Sequence, residues 1–522
     1  MLLRELASAL PHARLIGDGD MEITSIEYDS RAVTAGALFV AVPGFNVDGH
    51  AYLGRAIEGG ARAVVVQEDR EGLWQAVAEG GGVDVLVVPD SRVALAQLSA
   101  EFFGHPARKL GVVGITGTDG KTSLAHLVAH ALNRSGQKTG LISTAECRIG
   151  DEVLPDTGRF TTPEAPQVQA MLALMVEAGC KWAVVEATSH GLALHRVDEC
   201  EYDIAAFTNV GRDHLDFHGS EEEYVAAKGR LFKLLDESID KGIKKTAVLN
   251  WDDVVGMFFG TLTKKARKIK YGTDGMENVW IESYEADGFG SNIVINLMSL
   301  KADPGDDSID EGRLRLRFPK PGRFNAYNAA AAAGIALAAG LRVYEIADGL
   351  ETWTGAPGRM ERVDAGQPFE VIVDFAHSPD SLQRVLELLR ETSRGRIIAV
   401  FGCIGERDRD RRPGMAKAAA ELADYTFVTD DNPYSEDRDA ILQDIAEGMR
   451  AAGKLEGHDF SVVADRREAI AQALAMAVDE DAVLLAGKGH EREVHIGDTE
   501  YPCDDREEAR RVLRELGYGS PT

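Results

Sequence analysis

Four stretches of the chain carry side chains whose types and spacing can do chemistry. "GITGTDGKTS", Gly114 to Ser123, ends the apolar run that begins "KLGVV" and opens the helical pattern "SLAHLVAHALNRSG". A glycine-rich loop in that setting aims backbone N–H groups and a helix N-terminus at phosphate, with Lys121 as a point charge and Thr122 as an oxygen ligand for Mg2+. Strict nucleotide-loop spacing wants glycine five positions before Gly120, where this chain has Ile115. Strand, loop and helix together still predict ATP binding. Glu186 ends the apolar run "WAVVE" and precedes "ATSHGLALHRV". A carboxylate at the carboxyl end of a strand, facing a phosphate loop, suits a hard cation that takes oxygen, although a satisfied polar residue fits the same place. "TNVGRDHLDFHGSEEEYVAAKGRLF" holds His214 and Lys228, with Tyr224 one helical turn before the lysine. By residue type alone, a lysine on a helix is a solvated cation. The fourth stretch, "TDDNPYSED", Thr429 to Asp437, follows "YTFV" and reads as a turn, since Asx residues and proline favour turns. A polar turn at the carboxyl end of a strand is also where an α/β enzyme builds a binding site.

The elements that must position these groups are three α/β blocks. The chain has 522 residues, too many for one core, and 44% of them are hydrophobic, ample for several. The first block, residues 1–106, contains the strands "ALFVAVPG" and "ARAVVVQ" with the loops "DSRAVTAG" and "GFNVDGH". The second, residues 107–343, runs from the phosphate loop through "KWAVVEATSH" and "IAAFTNVGRDH" to the helix "NAAAAAGIALAAG". Within it, "ADPGDDSIDEG" is read as an exposed acidic loop between strands. The third, residues 344–522, alternates "EVIVDF", "RIIAVFG", "YTFVTD", "DFSVVAD" and "AVLLAG" with helices. That alternation predicts a parallel sheet with right-handed crossovers. The opening "MLLRELASALPHARLIG" reads as an amphipathic helix rather than a signal peptide.

Composition narrows the partners. With 57 basic and 85 acidic residues the chain carries a net charge of −28. It lacks the basic footprint of a nucleic-acid binder, and an anionic membrane would repel it. An anionic ligand must therefore be held locally, by backbone N–H groups, metal ions and a few placed arginines. Five cysteines (Cys147, Cys180, Cys200, Cys403 and Cys503) are scattered without CxxC spacing. That pattern argues against a disulfide framework or a zinc site. No apolar run reaches membrane-spanning length. The expectation is a cytoplasmic monomer that takes small-molecule substrates and neither inserts in a membrane nor binds nucleic acid.

The loop pattern G-T-x-G-K-T/S resembles that of the Mur ligases and of folylpolyglutamate synthase, which join an amino acid to a carboxylate using ATP. From "DSR" near residue 30 to "DDREEAR" near residue 510, the motifs follow the order of the E-type Mur ligases. That branch adds the third peptide residue to the peptidoglycan precursor. The resemblance implies a three-domain α/β architecture: a UDP-sugar domain, a central P-loop domain with a parallel or mixed sheet, and a Rossmann-like carboxyl-terminal domain. It implies that Gly117, Thr118, Asp119, Gly120, Lys121, Thr122 and Ser123 hold ATP. Asn325 and Asn328 of "PGRFNAYNAAAA" would meet the adenine, with helix capping as the rival reading. Arg359 would stand near the phosphates and Asp374 at the ribose.

The family's E-x-S/T-S-H glutamate, here Glu186, binds Mg2+. Its "EYxxAK" lysine, here Lys228, reacts with CO2 to form a carbamate that, with His214, holds a second Mg2+. Such a lysine must be neutral, so burial or nearby positive charge must lower its pKa. His190 and His218 are placed outside the direct ligands. The implied catalytic set is Lys121, Glu186, His214 and Lys228. For the precursor, Tyr28, Ser30, Phe45, Asn46 and Val47 match the UDP end. Thr161, Thr162, Thr188 and Arg196 match the grip on the muramoyl-dipeptide, where a guanidinium binds carboxylates bidentately. Phe160 stands where the family commonly has asparagine, and Leu194 where glutamine can occur.

For the incoming amino acid the matching residues are Arg407, Asp431, Asn432, Pro433, Tyr434, Gly487 and Glu491. Loops that follow the strands of one parallel sheet cluster on one edge, so these should converge with Asp374 and His377. The other arginines of "GERDRDRRP" are read as a solvated loop. The family reads meso-diaminopimelate partly through the arginine of D-N-P-R, and this chain has Tyr434 there. Losing that charge-assisted pair costs about 2–3 kcal/mol, or about a hundredfold in affinity. The expectation is therefore L-lysine or L-ornithine, whose ammonium Asp431, Glu436 or Glu491 would neutralise, with meso-diaminopimelate as the alternative. The implied reaction phosphorylates the D-glutamate γ-carboxylate of UDP-N-acetylmuramoyl-L-Ala-D-Glu, two Mg2+ ions neutralise the charge, and the amine expels phosphate. Folylpolyglutamate synthase is disfavoured by "DSR…DGH" and "TTPE". A catalytically silent nucleotide-sugar-binding regulator is disfavoured by intact Glu186, His214 and Lys228.

Overall fold

The computed structural model describes residues 1–44, 47–154, 162–211, 213–287, 290–298, 312–406, 409–497 and 499–519. Its strands form three large sheets in chain order, and the site depends on where their carboxyl edges meet. The central sheet has eleven strands, with Gly111–Thr116 between Trp182–Glu186 and Ile204–Phe207. All three are buried along their whole length. Their unbroken apolar runs suit parallel strands covered by helices on both faces. Val113, Ile115 and Val184 pack with the helices Lys121–Arg134 and Arg323–Ala338 on one face. Val112, Ala183 and Val185 pack with the helices Ala165–Glu177 and Glu221–Glu237 on the other.

Register fixes the site. Glu186 pairs with Ile115, and Phe207 with Thr116, so the three parallel strands end level. The phosphate loop, the Thr188 turn and the segment from Thr208 to His214 consequently share one edge. Antiparallel strands Gly290–Leu297 and Gly312–Phe318 extend this sheet, which is therefore mixed. The acidic loop expected between them lies at 302–311, outside the described residues, and Gly312 already belongs to the second strand.

The amino-terminal sheet has five strands, parallel except for Arg14–Ile16, which runs antiparallel to Asp84–Val88. The opening helix is shorter than its amphipathic pattern suggests and spans only Leu3–Ala7. Pro11 explains this: it offers no N–H and disfavours helical backbone in the residue before it. The carboxyl-terminal sheet has the strand order Glu361–Arg362, Glu370–Asp374, Ala482–Ala486, Ile397–Phe401, Tyr425–Val428, Phe460–Val462. It is parallel, as expected, except for the two-residue edge strand Glu361–Arg362. Four neighbouring strand ends thus release four loops side by side. No helix among the described residues is long and apolar enough to cross a membrane.

One buried ion pair ties these strand ends together. Arg466 bonds both oxygens of Asp505 at 2.8 and 2.6 Å and also donates to the carbonyls of Asp430 and Ala486. Replacing one partner of such a pair strands a buried charge, which costs about 3–5 kcal/mol. Asp505→Ala is expected to lower the unfolding free energy of the carboxyl-terminal domain by that amount, read as a drop in its urea midpoint at unchanged slope. An unchanged midpoint would show that the pair adds nothing.

Candidate active site

The phosphate loop is laced to the loop after Phe207. Thr118 N donates to Asn209 O at 2.7 Å, Asp119 N to Asn209 Oδ1 at 3.1 Å, and Gly211 N to Thr118 Oγ1 at 2.9 Å. Gly117 has φ +150, and a Cβ there would come within 1.9 Å of Thr208 Oγ1, so only glycine fits. Among the described residues no side chain caps the helix Lys121–Arg134, and its first residues line the cleft. Lys121 Nζ folds back onto Thr118 O at 2.8 Å. This is a preformed anion cradle.

Glu186 lies beneath it. Thr122 Oγ1 lies 3.1 Å from both carboxylate oxygens, and Thr144 N donates to Oε2 at 2.9 Å. Lys228, from the helix Glu221–Glu237, is 1% exposed. Its Nζ donates to Gly117 O at 2.5 Å and sits 4.3 Å above the Tyr224 ring. Burial first, then Lys121, pushes its pKa well below the usual lysine value. His214 has a left-handed backbone and stacks edge-on against His190 at 4.6 Å, with His218 5.5 Å from His190. Burial lowers His214 to about 3, outweighing the pull of Asp213, so its imidazole is neutral.

Two cavities share this cradle. One, about 520 Å³, is lined by Asn250, Tyr271, Asn325, Tyr327, Asn328 and Asp374 among others. The Tyr271 hydroxyl donates to Phe207 O and that of Tyr327 to Asp252, which fixes two aromatic faces. Asn325 and Asn328 bond locally, to Pro321 O and to Asn325 Oδ1, and still border the space. Asp374 accepts from Met360 N at 2.7 Å. Arg359 borders both cavities, stacks on Phe375 at 4.4 Å and donates to Thr122 Oγ1 at 3.3 Å.

The second cavity, about 290 Å³, runs from Lys121, Thr122, Ser123, Glu186 and His214 to Asn432, Tyr434 and Glu491. On that far wall Lys488 is wholly buried. Its Nζ donates to Asn432 Oδ1 at 3.0 Å and to Glu491 at 2.7 Å, while Asn432 Nδ2 donates to Glu491 at 2.9 Å. Among the described residues neither oxygen of the buried Asp431 has a hydrogen-bond partner, and burial raises its pKa. Gly487 has φ +106, and a Cβ there would lie 2.8 Å from Asp431 Oδ2. Pro433 accepts from Glu436 N. Tyr434, also left-handed, is held between His495 O and Gly497 N, with its ring stacked on His495 at 5.5 Å.

Two expectations for this wall are corrected. Glu436 is not open to an ammonium: Arg412 and Arg409 bond it at 2.7 and 2.8 Å, and Arg412 in particular holds its pKa at about 2. The arginine-rich segment is not simply solvated, since Arg412 is 1% exposed and Arg411 reaches Asp213 at 2.6 Å. Its acidic partners come from distant elements and leave no local pattern.

Between the first and central sheets, Tyr28 accepts from Gln167 at 3.4 Å. Thr162 and Thr188 share a hydrogen bond at 2.9 Å, and Arg196 donates to Thr162 O and pairs with Glu164 at 2.6 Å. Ser30 lies in the turn after Ser25–Glu27, and Val47 is half exposed. Phe45, Asn46, Phe160, Thr161 and Arg407 lie outside the described residues. Tyr271, Tyr327, Arg384 and Lys488 border the cavities or hold their walls, although none stood out as a site residue in the sequence. Lys488 sits inside "AGKGHE", yet nothing in that string signals its burial.

Residues 22–103 match the Mur ligase family catalytic domain, 115–336 the Mur ligase middle domain, and 358–489 the Mur ligase glutamate ligase domain. The chain belongs to the Mur ligase family. It is a Mur ligase of the E type, an ATP-dependent, amide-bond-forming enzyme. A UDP-N-acetylmuramyl-tripeptide synthetase of Roseiflexus sp. (strain RS-1) is 43% identical over 99% of this chain and 100% of its own. A UDP-N-acetylmuramoyl-L-alanyl-D-glutamate–2,6-diaminopimelate ligase of Bacillus licheniformis is 42% identical over 96% of each chain. A solved ligase of that same description has a TM-score of 0.65 and 29% identity, covering 99% of both chains. The last two names go against the L-lysine or L-ornithine expected from Tyr434. That expectation holds only where no other arginine compensates, and Arg409, on Glu436 two residues on, stands beside the same turn.

Lys488 fastens Asn432 to Glu491, so Lys488→Met should loosen this wall of the Mur ligase cavity. The KM for the diamino acid is expected to rise at least about tenfold, the loss of one charge-assisted bond, with the KM for ATP little changed. Equal increases in both would contradict a local role.

Proposed function

We propose that the chain joins the γ-carboxylate of UDP-N-acetylmuramoyl-L-alanyl-D-glutamate to an amino group of meso-diaminopimelate, consuming ATP in peptidoglycan synthesis. The observation that carries this reading is the single cavity in which Lys121, Thr122 and Glu186 face Asn432, Tyr434 and Glu491. An anion cradle and an amino-acid wall sharing one space suit a reaction in which a carboxylate is first phosphorylated and then attacked by an amine. The names of the relatives carry the choice of diaminopimelate over lysine or ornithine.

In this reading Gly117 to Ser123 cradle the ATP phosphates. The adenosine lies between Tyr271, Asn325 and Asn328, with Arg359 at the phosphates and Asp374 at the ribose. Tyr28, Ser30 and Val47 serve the uridine end, while Thr162, Thr188 and Arg196 hold the dipeptide. Asp431, Asn432, Pro433, Tyr434, Gly487 and Glu491 shape the seat of the diamino acid. All three substrate sites come from one chain, which acts as a monomer.

The donor set fits Mg2+. Glu186 and the Thr122 hydroxyl are oxygen ligands at the cradle, and His214 is a neutral imidazole. Lys228 fits a carbamate, because burial beside Lys121 favours the neutral amine that CO2 requires. Bound there, the ions would neutralise charge on the phosphates as they are transferred. The chain's own part is to aim N–H groups and Lys121 at the γ-phosphoryl and to close the cavity against water, which would otherwise hydrolyse an acyl phosphate.

ADP release in the presence of ATP, Mg2+ and the UDP-muramoyl dipeptide, with each diamino acid in turn, tests the proposal. Meso-diaminopimelate is expected to give the highest kcat/KM, and preference for L-lysine or L-ornithine would contradict the choice. Incubation with isotopically labelled CO2 should give a protein-bound carbamate resonance that is lost in Lys228→Arg. Its persistence in the variant would place the carbamate elsewhere.

A further inference from the structure

Arg411 is the first residue of the helix Arg411–Leu422, which packs on the carboxyl-terminal sheet, yet its guanidinium crosses to the central domain. There Nη2 donates to Asp213 Oδ1 at 2.6 Å, and both side chains are mostly buried, at 19% and 17% exposed. The other oxygen of Asp213 lies 3.2 Å from His214 Nε2. This ion pair borders the cavity that joins Lys121 and Thr122 to Asn432 and Glu491. Arg411 therefore stands between the cradle for the phosphates and the wall that seats the amine. Its present partner is an anion supplied by the protein itself.

We propose that Arg411 is a catalytic residue of the ligation, exchanging Asp213 for the oxygens of the phosphoryl group in transfer and of the acyl phosphate. The inference rests on the ligase reading above. A guanidinium is a rigid fork that matches carboxylate and phosphate alike, so one fork can serve both partners. Its charge is never left unpaired: Asp213 satisfies it before the substrates bind, and the phosphoryl group does so afterwards. In the transfer, a γ-carboxylate oxygen bonds to the γ-phosphorus as the bond to the bridging oxygen breaks and ADP leaves. The amine nitrogen then bonds to the acyl carbon, the C–O bond to phosphate breaks with its electron pair, and the amine proton passes to solvent. Arg411 transfers no proton and acts through charge and two N–H donors.

The test is a double-mutant cycle on kcat, with acyl phosphate followed by rapid quench, using wild type, Arg411→Ala, Asp213→Asn and the double variant. Arg411→Ala is expected to lower kcat about a hundredfold, the usual loss of one oxyanion donor, with the KM for the diamino acid nearly unchanged. Acyl phosphate should form more slowly by the same factor. Removing Arg411 from the Asp213→Asn background should still cost at least about tenfold, because the arginine acts on the phosphoryl group and not through the aspartate. If the double variant is no slower than Asp213→Asn alone, Arg411 merely braces Asp213 and the proposal is overturned. An unchanged kcat in Arg411→Ala overturns it equally. Arg411→Lys, which keeps the charge without the fork, should fall between wild type and Arg411→Ala and stands in if the alanine variant fails to fold. An inactive wild type would contradict the ligase reading, whereas an active wild type with indifferent Arg411 variants contradicts this inference alone.

Discussion

The constraint on which the rest of the structure depends is electrostatic. A chain with a net charge of −28 has to bring a triphosphate and carboxylated substrates into one cleft. Long-range attraction works against it, so every favourable contact must be short and fixed. The fold meets this with the ends of parallel strands. Three level strands of the central sheet put backbone N–H groups, Lys121 and Glu186 on one edge, and four strands of the carboxyl-terminal sheet put Asp374, Asn432 and Glu491 on the other. Where the edges meet, cations alternate with anions: Arg384 with Asp119, Arg411 with Asp213, Lys488 with Glu491.

These pairs differ in weight. Arg384–Asp119 is more than one-third exposed on both sides, so screening by water keeps its contribution small. Lys488 is fully buried and satisfied by Asn432 and Glu491, so its loss would strand the carboxylate side chains around it. Lys228 is the opposite case. Among the described residues no carboxylate is in bonding contact with it, its Nζ donates to the Gly117 carbonyl, and burial lowers its pKa. Burial thus has two outcomes in one cleft: Lys488 is paired with Glu491, whereas Lys228 has its pKa lowered.

Much of this was legible in the sequence because it is written locally. A strand, a glycine-rich turn and a helix announce the cradle around Gly117 to Thr122, and "WAVVE" places Glu186 at a strand end. The alternating third block gave the convergence of Asn432 with Glu491 from topology alone. What stayed hidden depends on which faces meet in space. Arg384 lies in "SLQRVLELLR", where an amphipathic helix predicts a solvated arginine, and Lys488 is a lysine in a glycine-rich loop until neighbouring strands bury it. By sequence Glu436 is a partner for the substrate's ammonium, but Arg409 from the preceding loop and Arg412 from the helix that follows it already occupy it. The short first helix shows how Pro11 overrides a good apolar pattern. The substitution at Tyr434 is real, yet a pocket built by four loops does not take its charge balance from one of them.

In the proposed reaction a substrate carboxylate becomes an acyl phosphate in the cavity between the two sheet edges before the amine attacks. Labelling the D-glutamate γ-carboxylate of the UDP-muramoyl dipeptide with heavy oxygen tests it most directly. Each turnover should leave one labelled oxygen in the released phosphate, because the carboxylate oxygen that attacks phosphorus departs with it. Amide product formed with unlabelled phosphate would contradict the account.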